Sequence, residues 1–215
     1  MSSKKLGAVA RIQEIEPRAV FTHSYGHALN LACADTIKRC KLMKDVLDVT
    51  YEITKLVKRS PRRDAIFKRI KKEMATSRDS RGICVLCLTR WAVKAEGLKS
   101  ILDNFNALLE LWDESLQIVK DTELKTRILG VQAQMKKFDF FFGVSLGFLL
   151  LKHTDNLSKT IQKEDICATE AQHVTSLTLS ILKSLRNDAS FNCFWLRIIA
   201  SAQELNVNDP VLPRR

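Results

Sequence analysis

Leu42, Val46, Val49, Ile53, Leu56 and Val57 recur at spacings of three and four. Residues spaced this way fall on one stripe of an α-helix and scatter over both faces of a strand. The segment from about Leu42 to Lys58 is therefore a long helix with one apolar face. The same period returns from Lys94 to Leu111 and just beyond, where Leu98, Ile101, Leu102, Phe105, Leu108, Leu109 and Trp112 make one stripe. "LGAVARIQEIE" (6–16) reads as a short amphipathic helix ended by Pro17. "ALNLACADTIKRC" puts Leu29, Ala32, Cys33, Thr36 and Ile37 on one side. Pro61, with Ser60 as cap, opens a helix over "RRDAIFKRIKKEMA". Further helices are expected over 121–135 and over 157–187, the latter as one or two, with Asp165 or Thr169 as break or cap. A short last helix holds Phe191, Phe194, Trp195, Ile198 and Ile199, before a turn-rich tail with Pro210 and Pro213. Only "AVF", after Pro17, reads as a buried strand, near residues 19–22. The expected fold is mainly α: one helical domain entered through a fragment of strand.

The strongest apolar run, "FDFFFGVSLGFLLL" (138–151), is shorter than the roughly 20 residues a membrane span needs. Asp139 lies near its start, and Lys136, Lys137 and Lys152 flank it. It is expected to be a buried core helix, and no membrane partner is expected. "MSSKKLGAVARIQ" lacks the apolar core of a signal peptide. The cysteines Cys33, Cys40, Cys84, Cys87, Cys167 and Cys193 are thus expected to be reduced and intracellular, with four or more buried as small hydrophobes. Cys84 and Cys87 form a lone CxxC whose only near companions are His23 and His27, so no structural zinc and no other metal or cofactor is expected.

The net charge of +11 points towards nucleic acid or another acidic partner. Its densest source is the stretch from Lys55 to Arg78, with ten basic residues against two acidic ones. Lys55, Lys58, Arg59, Arg62, Arg63, Lys68, Arg69, Lys71 and Lys72 crowd two helices around Pro61. If they share a face, they suit the phosphate backbone of duplex DNA with little sequence preference; the alternative is a solvated helix surface. About five phosphate contacts would give a log–log salt slope near −4.5.

Two short motifs remain. "HSYGHALNL" (23–31) sets His23 and His27 four apart, on one side of a helix if both lie on one. A metalloprotease helix needs a glutamate directly after the first histidine, and Ser24 stands there instead. "CLTRW" (87–91) joins Arg90, a phosphate donor, to Trp91, either a stacking surface for a base or a core anchor.

Together these motifs resemble the hAT superfamily of DNA transposases, in particular its zinc-finger MYM-type and protein-kinase-inhibitor-repressor-like branch. The branch's "HCxxHxLNL" corresponds to "HSYGHALNL", carried here by His23, Ser24, His27, Leu29, Asn30 and Leu31. Its "C-x-TRW" corresponds to Cys87, Thr89, Arg90 and Trp91. "LSKTIQKEDI", "SLRND" and "PVLPRR" also fit, so the resemblance spans nearly the whole chain.

The resemblance implies an RNase-H-like core interrupted by a helical insertion. Residues 1–40 would be a remnant of that core and residues 41–215 the insertion. The family's Asp-Asp-Glu triad holds divalent metal for phosphodiester chemistry. Its two aspartates lie upstream of the histidine motif, with Met1 resembling the methionine of the nearer segment, and its glutamate lies beyond the insertion. No acid of this sequence matches a triad position, so a non-catalytic, truncated transposase-like protein is expected. In the family the Arg-Trp pair lies near a flipped base; Ser24 replaces a family cysteine. DNA is the expected partner and the nucleus the expected location. A protein partner, a homo-oligomer, a helical interaction scaffold and a non-functional gene fragment are the alternatives.

Overall fold

The computed structural model describes residues 8–19, 25–74, 82–84, 94–163 and 165–211. Among the described residues every regular element is a helix. They are α1 (Ala8–Ile15), α2 (Tyr25–Arg39), α3 (Lys41–Lys58), α4 (Pro61–Met74), α5 (Lys94–Asp103), α6 (Phe105–Ile118), α7 (Thr122–Met135), α8 (Phe138–Ile161), α9 (Ala168–Ser184) and α10 (Asp188–Glu204). Of the expected α3 stripe, Val46, Ile53, Leu56 and Val57 are buried and Leu42 and Val49 half-buried, while Met43 and Leu47 join the core beside them. Side chains satisfy several of the free N–H groups at helix starts. Asp121 accepts from the Glu123 N–H at 3.1 Å, and Asn187 from the Ser190 N–H at 2.8 Å.

The phenylalanine-rich run is the inside of the molecule. It opens α8, the helix against which α2, α3, α5, α7, α9 and α10 all pack. Phe138, Phe140, Phe141 and Val144 are buried there. Gly143 and Gly147 let the neighbours come close. A methyl group on Gly143 would sit 2.5 Å from Val46 Cγ2, and one on Gly147 would sit 2.8 Å from Leu98 Cδ1 and from Met43 Cε. Four residues apart on one helix, the two glycines form a shallow seat for α3 and α5. No helix among the described residues is long and apolar enough to cross a membrane. α6 extends the core, packing on α4, α5 and α7. Its Trp112 is fully buried, with the indole N–H 3.2 Å from Met135 Sδ.

The structure corrects four expectations. The first is the strand near residues 19–22, and with it the RNase-H-like remnant: no strand occurs among the described residues. Residues 20–22 lie outside them, whereas Ala19 has both backbone groups occupied locally. Its N–H donates to the Glu16 carbonyl at 2.9 Å, and its carbonyl accepts from Gln13 Nε2 at 3.2 Å. The N–H, a single donor, is thereby taken from any sheet ladder.

Second, the run from Lys94 to Leu111 is two helices, α5 and α6. Asn104 breaks it, with φ −120° and ψ 22°, and its amide Nδ2 donates to the Ser100 carbonyl at 2.8 Å. Third, Asp165 does lie in the break between α8 and α9, but neither Asp165 nor Thr169 caps α9. The cap of α9 is Cys167, whose Sγ accepts the Glu170 N–H at 3.4 Å while the Glu170 carboxylate accepts the Cys167 N–H at 3.1 Å. That is a capping box with sulfur in the usual hydroxyl position. Fourth, burial of most cysteines does not hold: Cys40, Cys167 and Cys193 are exposed, and Cys33 and Cys84 are half-buried. Cys40 and Cys167 stand at the N-caps of α3 and α9.

Candidate nucleic-acid interface

The basic stretch forms around the turn between α3 and α4. Ser60 Oγ accepts the Arg63 N–H at 3.3 Å and starts α4 at Pro61. Phe67 and Ile70 bury one side of α4. At 100° per residue the opposite side carries Arg62, Lys68, Arg69 and Lys72, all exposed. Arg59 is exposed in the turn itself.

Ion pairs within the fold engage much of this charge. Asp64 lies between two lysines, 2.9 Å from Lys58 Nζ and 2.8 Å from Lys68 Nζ. These two, Lys68 first, hold its carboxyl below the usual carboxylate range. The Lys58 contact ties α3 to α4. Arg69 pairs with Glu73 at 3.0 Å and with Glu114, joining α4 to α6. Lys55 lies 3.9 Å from Glu52, which also accepts from Arg127 on α7. Arg63 points inward: its Nε donates to the Leu56 carbonyl at 2.7 Å. Burial, and then the nearby Arg127 charge, holds its pKa below the usual arginine value. Lys71 is half-buried. Arg59, Arg62 and Lys72 make no ion pair among the described residues. These three, with exposed Lys68 and Arg69 beside them, are the part of the stretch that faces solvent as positive charge.

The family-motif residues divide between described and undescribed positions. His23, Ser24, Cys87, Thr89, Arg90 and Trp91 lie outside the described residues. His27 is exposed in the first turn of α2; Leu29 and Asn30 are half-buried, and Leu31 is exposed. Gly26 is buried, and a methyl group there would lie 3.0 Å from the Gln162 side chain at the end of α8. Among the described residues no group of three or more His, Cys, Asp and Glu side chains has a metal-holding arrangement.

The sequence reading missed a buried polar cluster that links the two motif segments. α5 begins three residues after Trp91, and its start is held from α8: Asp155 Oδ2 accepts the Ala95 N–H at 2.9 Å. Asp155 and Lys94 are both buried. Burial pushes the Asp155 carboxyl up to about 6, opposed by the Ala95 hydrogen bond and then by Lys159 and Lys94. Cys33 on α2 reaches the same place. Burial raises its thiol pKa, and a hydrogen bond with Thr154 opposes that rise. The helix carrying "HALNL" and the helix following "TRW" therefore meet at Thr154 and Asp155. The one legible signal was a lone acid, Asp155, shortly after the apolar run of α8.

No protein-family model matches this chain, and no solved structure matches it.

Proposed function

We propose that this chain is a non-catalytic, DNA-holding helical protein of hAT-transposase ancestry that works in the nucleus. The observation supporting DNA is the solvent face at the α3–α4 turn, where Arg59, Arg62 and Lys72 have no carboxylate partner among the described residues. Phosphate oxygens take charge-assisted hydrogen bonds from such side chains, and the contacts carry no sequence information. The ancestry rests on "HSYGHALNL" and "CLTRW", in whose resemblance no acid matches a catalytic position. The protein then contributes grip and orientation, and cleavage belongs to another molecule.

Mobility shift with a duplex of about 20 bp at about 50 mM salt tests this reading. Wild type is expected to retard the duplex. Arg59→Glu/Arg62→Glu/Lys72→Glu is expected not to, with an unchanged melting curve because all three side chains are exposed. The same incubation with Mg²⁺ or Mn²⁺ should leave the DNA uncut. A metal-dependent product that disappears on mutating an acid such as Asp35 would contradict the non-catalytic part, and retardation by the triple variant would contradict the binding part.

A further inference from the structure

A groove of about 340 Å³ opens between α8 and α10, on helices other than those of the basic α3–α4 turn. Its volume is at the lower end of the range for binding pockets. Its walls repeat one spacing. Ser145, Phe148 and Lys152 line it from α8, and Phe194, Arg197 and Ser201 from α10, each set at i, i+3 and i+7. Seven residues of helix span about 10 Å, so both walls run for two turns.

The cations in these walls are placed against aromatic rings. Lys152 Nζ lies 5.9 Å from the Phe148 ring centroid, and Arg197 Cζ lies 5.8 Å from that of Phe194. Neither makes an ion pair among the described residues. Ser145 belongs to a buried position yet makes no side-chain hydrogen bond there. The groove thus combines an apolar floor, two positive charges without carboxylates and a hydroxyl with bonding capacity to spare.

We infer that this groove docks an amphipathic helix of a partner protein, one whose apolar ridge is flanked by glutamates or aspartates. Two helical walls form a trough that accepts the ridge of a third helix. Anchors at i, i+3 or i+4, and i+7 on the partner span the same two turns as the walls. Lys152 and Arg197 then select acidic flanks over basic ones, since like charges at this rim repel.

Fluorescence anisotropy tests the assignment with a fluorescein-labelled designed helix, leucine at the anchor positions and glutamate on both flanks, beside the same peptide with lysine flanks. The full chain should bind the glutamate peptide at least tenfold more tightly than the lysine peptide. Lys152→Glu/Arg197→Glu should reverse that preference with an unchanged circular-dichroism melt. Ser201→Trp, which fills the trough and keeps both cations, should weaken the glutamate peptide at least tenfold. Equal binding of the two peptides overturns the proposal, as does binding indifferent to both variants. It also fails if dodecanoate binds and the glutamate peptide does not, which would make the groove an acyl-chain site. Displacement of the peptide by duplex DNA, with wild-type displacement lost in Lys152→Glu/Arg197→Glu, would assign the two cations to nucleic acid and overturn it as well.

Discussion

Asp155 shows how one side chain sets a local structure and charges it with a pH dependence. Its carboxylate caps α5 from across the fold, which α5 requires because its first N–H groups have no partner within the helix. Burial nevertheless penalises the ionised form and raises the pKa to about 6. The unfolded chain releases that proton near pH 4, so between about 4 and 6 the folded state binds more of it than the unfolded state does. This group's contribution to stability therefore falls as pH rises through that window, by about 3 kcal/mol in all. Asp155→Asn keeps an oxygen for the Ala95 N–H and removes the buried charge. It should melt no lower than wild type at pH 8 and lose this component of the pH slope, whereas Asp155→Leu, which strands the N–H, should melt lower throughout. Thermal melts from pH 4 to 8 check this; a slope unchanged in Asp155→Asn contradicts it. Beyond its position shortly after the apolar run of α8, nothing in the one-dimensional pattern distinguished Asp155 from a surface acid, because its partner lies 60 residues away.

At the scale of elements, periodicity alone made most helices legible, because each buries a single face and the face repeats every three to four residues. α3 follows from that, whereas α4 was read from Ser60 and Pro61 and the core role of α8 from its continuous apolar run. Failures came where one residue overrides a continuing pattern. Asn104 interrupts an apolar stripe that runs on unbroken, and the Cys167 cap uses a side chain rarely counted among N-cap formers. The strand reading failed at Ala19, whose backbone is engaged by Gln13 and Glu16. The glycines of "GVSLG" read as mere apolar helix, but their role is steric and depends on α3 and α5 lying alongside. Gly143→Val should therefore destabilise by about 1–3 kcal/mol through overpacking against Val46, lowering Tm by about 2–4 °C for each kcal/mol. Val46→Ala should recover part of that loss in the double variant. Additive effects of the two substitutions, read from melting curves, would contradict the close approach of α3 to α8.

For the whole molecule, the net charge of +11 overstates the charge available to an anionic partner. The stretch from Lys55 to Lys72 was legible as basic; which of its side chains face solvent unpaired was not, because Glu114 and the half-buried environment of Arg63 come from packing. Of the exposed cations in that stretch, Arg59, Arg62 and Lys72 remain without carboxylates among the described residues. Neutralising about three phosphates gives a log–log slope near −2.7, shallower than nine free cations would give. The direct measurement is the salt dependence of duplex DNA affinity by fluorescence anisotropy, for wild type beside Arg59→Glu/Arg62→Glu/Lys72→Glu. Between about 50 and 200 mM salt wild type should lose affinity about 40-fold, and the variant should show little binding and little slope. An affinity independent of salt, or a variant with the wild-type slope, would contradict DNA binding by the α3–α4 face.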